Sequence, residues 1–256
     1  MKTLIIIPTY NEYDNLRPLL DTVFSYAPAT DLLIVDDNSP DGTGKLADDI
    51  SAEDPRVHVM HRAGKLGLGT AYVAGFKYAI EQNYDAAFEM DADFSHDPKY
   101  LPNFLKAIED ADLVIGSRYI PGGATPNWSV VRRAISGSGN IFARFMLIGN
   151  RVHDCTAGYR CYRREVLQSI DLDTVQSQGY AFQIELTNRV LRQGFKIVET
   201  PIVFMDRRIG QSKMSKKIVV EAFTYVIKAK LGKVPMPTPA MRVPSRRGQE
   251  LSSASN

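Results

Sequence analysis

An α/β fold, with a central and mostly parallel sheet flanked by helices, is what this sequence predicts. Short apolar runs rich in β-branched or large side chains alternate with stretches of helical spacing, the pattern of strand–helix–strand units. The 256 residues, 44% hydrophobic and 23% charged, suffice for a large domain. A chain of this length buries roughly 70–75% of its unfolded surface, so its core needs no disulfide staple. Polar clusters follow the strand candidates, where sheets of this kind place their active sites.

The expected strands are Leu4–Ile7, Leu32–Val35, Val57–Met60, Ala86–Met90 and Leu113–Ile115, each too short for a helix and too apolar for a loop. Lys2–Ile7 reads as a first buried strand and not as a secretory signal, which needs a longer apolar stretch and a small-residue cleavage site. Between them lie helical patterns at Asn15–Tyr26, Thr43–Ile50, Leu68–Glu81 and Tyr100–Ile108. The third places Ala71, Ala74, Gly75, Tyr78 and Ala79 on one face; the fourth follows Asp97-Pro98, a cap and a proline at the first helical position. Further on, a helix is expected near Trp128–Ile148, irregular chain at Val152–Arg164, a helix at Phe182–Arg192, a strand at Lys196–Phe204 and a basic helix at Lys216–Leu231. Residues 1–231 form the expected catalytic domain, and 232–256, rich in Pro, Ser and Arg, a disordered tail. No charge-free apolar run reaches the 18 residues of a membrane-spanning helix.

Charge is uneven. Residues 228–256 carry six basic side chains against the single acid Glu250, a net +5, which leaves −3 on the other 227 residues. A basic tail of this kind suits nucleic acid or an anionic membrane; the acidic body and the lack of an aromatic platform speak against nucleic acid. Cys155 and Cys161 match no zinc spacing and read as reduced thiols of a cytoplasmic protein.

Asp91 and Asp93 are the sharpest local signal. Two carboxylates that point to one side of an extended chain repel each other unless one is protonated or a cation lies between them; hard oxygen donors at a strand end suit Mg²⁺ or Mn²⁺ completed by substrate phosphates, with an acidic turn capping the next helix as the plainer alternative. Asp36 and Asp37, after the second strand, suit hydrogen bonds to a nucleotide base or ribose, with an Asx-turn as the plainer alternative. Gly64–Gly69 lacks the third glycine of a dinucleotide fingerprint, since position 72 is Tyr, and reads as a flexible turn into a tightly packed helix. His58, His61, His96 and His153 have no metal spacing, and His96 reads as a helix-entry residue. Ser117 and Ser138 lack a paired base, so no nucleophilic triad emerges.

Seven blocks taken in order resemble the family-2 glycosyltransferases of GT-A fold (Rossmann-like nucleotide-diphospho-sugar transferases), and among them the polyprenyl-phosphate (dolichyl-phosphate) mannosyltransferases. They are the segments 5–12, 35–43, 90–93 and 116–119, Asn127-Trp128 with Arg132, Asp154–Arg160, and Gly210-Gln211-Ser212-Lys213. The resemblance covers about residues 2–231 and implies transfer of mannose from GDP-mannose to a polyprenyl phosphate, with inversion. It implies that Pro8, Tyr10, Glu12 and Asp37 hold the guanosine part, with Val35 and Ala92 also in contact with substrate. Asp91 and Asp93 would bind the metal under the diphosphate. Ser95 stands where some relatives have a Gln as a further metal ligand, and its shorter hydroxyl suits contact through water. Arg118 and Arg132 would bind the acceptor phosphate, and Arg207 with Lys213 would close over the phosphates. Asp93, Arg118 and Arg132 are the expected catalytic residues. Transfer of another sugar such as glucose, or a non-catalytic nucleotide-binding subunit that recruits a partner to the membrane, remain the alternatives.

The acceptor is a lipid, so a peripheral enzyme on the cytoplasmic face of the cell membrane is expected, with a membrane-embedded protein as a candidate partner. Val219, Ala222, Phe223, Val226 and Ile227 form an apolar helical stripe flanked by lysines, suited to lie in the bilayer interface or to pack on the core.

Overall fold

The computed structural model describes residues 1–205 and 216–237, and for 216–219 the backbone alone. Seven strands make one sheet: β1 (Thr3–Thr9), β2 (Asp31–Asp36), β3 (Val57–His61), β4 (Ala86–Glu89), β5 (Leu113–Ser117), β6 (Arg160–Arg163) and β7 (Ile197–Pro201), in the order β3-β2-β1-β4-β6-β5-β7. All neighbours are parallel except β6, which runs antiparallel to both β4 and β5. The helices are α1 (Tyr13–Tyr26), α2 (Thr43–Glu53), α3 (Leu68–Glu81), α4 (Leu101–Ala107), α5 (Val130–Ala143), α6 (Arg164–Ser169), α7 (Gly179–Arg192) and α8 (Lys216–Lys230).

Strand alternation explains why the first strands are apolar throughout. In β1, Leu4 and Ile6 enter one core and Ile5 and Ile7 the other; in β2, Leu33 and Val35 oppose Leu32 and Ile34 in the same way. The first core is closed by α3 and α7 through Tyr72, Phe76 and Phe182, the second by α1, α2 and α4 through Leu16, Ala47 and Phe104. α3 reaches β1 closely because Gly75 has no side chain: a Cβ there would lie 2.5 Å from Ile6 Cγ2. Gly75→Ala should therefore lower stability by about 1–3 kcal/mol through overpacking, read as a shift in denaturant midpoint.

Two expectations need correction. The irregular segment Val152–Arg164 contains β6, which alternation missed because Arg160, fully buried, looks like a surface residue. Its guanidinium is satisfied by the carbonyls of Cys155, Ala157 and Gln183 and by the Thr187 hydroxyl. The expected tail also starts too early. The Pro235 carbonyl accepts from the buried Arg189, and Val234 and Met236 pack on the first core. Residues 238–256 lie outside the described residues.

α8 divides its apolar surface between two tasks. Tyr225, Val226 and Ala229 are buried, whereas Val220, Phe223, Ile227 and Leu231 are exposed. The stripe read from the sequence thus straddles a core face and a free face, and the side chain of Val219 is outside the described residues. α5 and the wider turn that continues it, Arg144–Ile148, add exposed Val130, Val131, Ile141 and Phe145, the last 85% accessible. No helix among the described residues is long and apolar enough to cross a membrane.

Candidate active site

The carboxyl ends of β1, β2, β4 and β5 share one rim, and Tyr10, Asp37, Asp91, Asp93 and Arg118 sit there. After β4 the chain leaves extended geometry at once: residues 91–96 form a turn in which Phe94 takes φ +62°, a left-handed conformation uncommon for a bulky residue. The two-residue alternation assumed for Asp91 and Asp93 therefore does not apply; the turn itself orients them. Asp93, Ala92 and Ser95 are buried, and Asp93 Oδ1 accepts the Ser95 amide at 3.0 Å. Asp91 is one-third exposed and accepts the Tyr72 hydroxyl at 2.9 Å.

His96 is not a helix-entry residue. It is buried, stacks on Tyr159 with centroids 4.9 Å apart, and accepts the Asp91 amide on Nδ1 at 2.9 Å. That bond puts the ring proton on Nε2, 4.0 Å from Asp91 Oδ2. Burial depresses its pKa, so the ring is neutral at pH 7. Burial and the nearby Asp91 and Glu89 charges hold the Tyr72 phenol well above its ordinary value, so it remains a donor. Tyr72 and His96 thus fix Asp91 by side chain and main chain, and neither role was legible in the sequence. Two carboxylates on one turn, one of them buried, fit a hard divalent ion that takes its other oxygens from phosphate and water. Among the described residues no group of three His, Cys, Asp or Glu could hold an ion.

The second acidic pair splits. Asp36 accepts the Thr9 hydroxyl, the Ser39 amide and the Ser39 hydroxyl, which makes it the Asx-turn of the plainer reading. Asp37 lies with Oδ1 3.1 Å from Arg62 Nη1, both side chains about nine-tenths buried. Burial raises the pKa of Asp37, and the Arg62 charge opposes the rise. Val35 is buried, Pro8 and Tyr10 are half-buried, and Glu12 accepts from Asn15 at the start of α1. Lys65 sits 4.2 Å above the Tyr10 ring. The Gly64–Gly69 turn consequently borders the candidate nucleotide site through Lys65, which the motif test had set aside with the turn, and Arg62 just before the turn is a cation the sequence reading did not single out.

Across the rim, Arg118 is buried against Asp154. Its Nε and Nη2 each donate to the carboxylate at 2.7 Å, its amide donates at 3.0 Å, and Nη2 also reaches Thr156. Burial pulls the guanidinium pKa down, and the Asp154 charge more than restores it. Arg118 and Arg132 converge on Trp128, with guanidinium carbons 5.2 and 4.1 Å from its ring. The structure thus unites Arg118 and Arg132, 14 positions apart in sequence, and sets Arg118 beside the Asp91–Asp93 turn: the Phe204 ring lies 5.7 Å from the Arg118 guanidinium carbon, 5.7 Å from Trp128 and 5.9 Å from His96 of that turn. Arg207 and Lys213 lie outside the described residues.

A mostly parallel sheet with a carboxylate turn on its carboxyl rim is the architecture of GT-A glycosyltransferases. A mannosyltransferase from Pyrobaculum calidifontis, solved in complex with GDP-Man and Mn²⁺, aligns over 99% of this chain and 80% of its own, at a TM-score of 0.54 and 14% identity. The sequence profile named "Glycosyl transferase family 2" matches residues 4–171, and the chain belongs to that family. It is 52% identical over 226 residues to the undecaprenyl-phosphate mannosyltransferase of Micrococcus luteus, covering 88% of this chain and 93% of the relative. The polyprenol monophosphomannose synthase of Mycolicibacterium smegmatis is also 52% identical, over 88% of this chain and 85% of the relative.

Proposed function

We propose that this glycosyltransferase moves mannose from GDP-mannose to a polyprenyl monophosphate, with inversion, to give polyprenyl-phosphate-mannose, a lipid-linked sugar donor. The observation that carries the reading is the meeting of Arg118 and Arg132 on Trp128, with Phe204 linking Arg118 to His96 of the Asp91–Asp93 turn, in a chain half identical to two enzymes named for this chemistry. Two guanidinium groups suit a phosphate dianion. The indole Nε1 of Trp128 is a buried donor without an acceptor among the described residues, which suits an anion as well.

A monophosphate ester has its second pKa near ~6, so at neutral pH the acceptor is already largely a dianion and needs no base to become a nucleophile. The site matches this economy: its histidine is neutral and engaged with Asp91. Arg118 and Arg132 hold the acceptor oxygen and make its approach to a second phosphate group tolerable. Pro8, Tyr10, Glu12 and Asp37 hold the guanosine end, with Val35 and Ala92 also in contact with substrate. Asp91 and Asp93, with Ser95 through water, would hold Mg²⁺ or Mn²⁺, which when bound supplies Lewis-acid stabilisation of the departing GDP. Arg207 and Lys213 are assigned to the same phosphates. Attack from the side opposite the leaving group inverts the anomeric carbon.

An open apolar groove between α5, α7 and α8, lined by Ile135, Phe142, Ile184, Phe223 and Val226, begins beside Thr156 and suits a lipid substrate. The exposed apolar side chains of α5 and α8 suit a peripheral position on the bilayer, which we assign to the cytoplasmic face of the cell membrane, with a membrane-embedded protein as partner. The test is direct. Purified protein with polyprenyl phosphate, Mg²⁺ or Mn²⁺ and either GDP-mannose or UDP-glucose should yield a mannosylated lipid alone, identified by mass spectrometry. Product from the glucose donor only would overturn the assignment.

A further inference from the structure

The two arginines of the acceptor site stand on separate elements, and something must set the distance between them. Arg118 follows β5; Arg132 lies in the first turns of α5. Along α5, Arg132, Ser136 and Asn140 recur every four residues and so form one stripe. Each member of the stripe engages the acceptor site. Arg132 packs on Trp128. Ser136 accepts the hydroxyl of Tyr119, the residue after Arg118, at 2.8 Å. Asn140, only 3% exposed, grips the segment that carries Asp154.

That grip uses the whole amide. Asn140 Oδ1 accepts the Cys155 amide at 2.9 Å and the Cys155 thiol at 3.0 Å. Its Nδ2 donates to the Ser136 carbonyl at 3.1 Å and to Thr156 Oγ1 at 2.9 Å. Thr156 Oγ1 in turn accepts from Arg118 Nη2 and donates to Asp154 Oδ1, so its capacity is full. An unbroken chain of bonds therefore runs from the helix of Arg132 through Asn140 and Thr156 to the guanidinium of Arg118. From the far side Glu199 of β7 accepts the His153 and Asp154 amides and holds the same segment to the sheet.

We infer that Asn140 is a positioning residue for the acceptor phosphate, setting the spacing of Arg118 and Arg132 so that both reach one dianion. The inference rests on the function proposed above. An apolar residue would suffice if Asn140 served only to fill space under α5, yet three of the four hydrogen bonds of its amide reach Cys155 and Thr156, next to Asp154.

Steady-state kinetics of the full chain test it, with KM for polyprenyl phosphate and for GDP-mannose measured in wild type, Asn140→Ala, Arg132→Ala and the double variant. Asn140→Ala should raise KM for the lipid phosphate about tenfold, the loss expected of one charge-assisted contact, and leave KM for GDP-mannose within about twofold. Added to Arg132→Ala it should raise the lipid KM no further, because spacing has no meaning once one arginine is gone. An equal rise for both substrates, or the same factor on top of Arg132→Ala, would overturn the inference. Should Asn140→Ala fail to fold, Thr156→Val severs the link from its other end and must show the same pattern, or the inference falls. A wild type that is silent with both substrates removes the functional reading itself, before any variant is compared.

Discussion

Asp93→Ala is expected to cut mannosyl transfer by about 10²–10³-fold or more, while the far-UV spectrum and the unfolding midpoint stay close to wild type. The carboxylate is buried in the turn after β4, where Oδ1 accepts the Ser95 amide, a bond worth about 1 kcal/mol to the fold. Its larger effect is on chemistry. On the proposed function, GDP departs with developing negative charge, and the acid would hold a divalent cation able to offset it. Excess chelator should reproduce the loss in wild type and add nothing in the variant. Undiminished turnover of Asp93→Ala, or of wild type in chelator, would end the assignment of this turn to a metal.

The second large effect is on stability. Asp154→Asn leaves the shape of the Arg118 pocket but removes the charge that faces the guanidinium, and both side chains are almost fully buried. A buried cation without its partner costs about 3–5 kcal/mol, measured as a loss of unfolding free energy in denaturant. The pH dependence has a definite sign. Burial pushes the Asp154 carboxyl up, and the Arg118 charge with its hydrogen bonds more than cancels the push, so the folded pKa lies below the ordinary 3.8. A depressed acid contributes its stability in full above the unfolded value and loses it as pH falls through the folded one. The gap between wild type and variant should hold constant from neutral pH down to about 5 and close only below about 4. A gap that widens in acid, or one under about 1 kcal/mol at pH 7, would show that the pair is not what holds Arg118.

Much of the candidate site was legible because its residues follow apolar strands. β1, β2, β4 and β5 each stand out as buried runs, and Tyr10, Asp37, Asp91 and Arg118 come next in the chain, where a parallel sheet must put them. β6 was hidden for the opposite reason: Arg160 is buried by the carbonyls of the preceding turn, Cys155 and Ala157, and by the Gln183 carbonyl and Thr187 hydroxyl of the remote α7, and no apolar alternation encodes partners of that kind. His96 was misread similarly. Its neighbour Pro98 does open a helical turn, capped by Asp97 as expected, but the imidazole belongs to Asp91 and Tyr159. A left-handed Phe94 is the one local clue to that turn, and it is visible only in the backbone.

Periodicity and motif order were enough for the sheet, the rim and the family, since burial of strands on both faces and turns at their carboxyl ends are local consequences of side-chain pattern. Tertiary packing alone decided which partners each acid of a pair takes. It also decided that Trp128 gathers two arginines, that Asp154 neutralises one of them, and that α8 splits between core and solvent. Those outcomes depend on distances between segments remote in the chain, and hydrogen bonds and ion pairs are short enough that only the folded arrangement can make them.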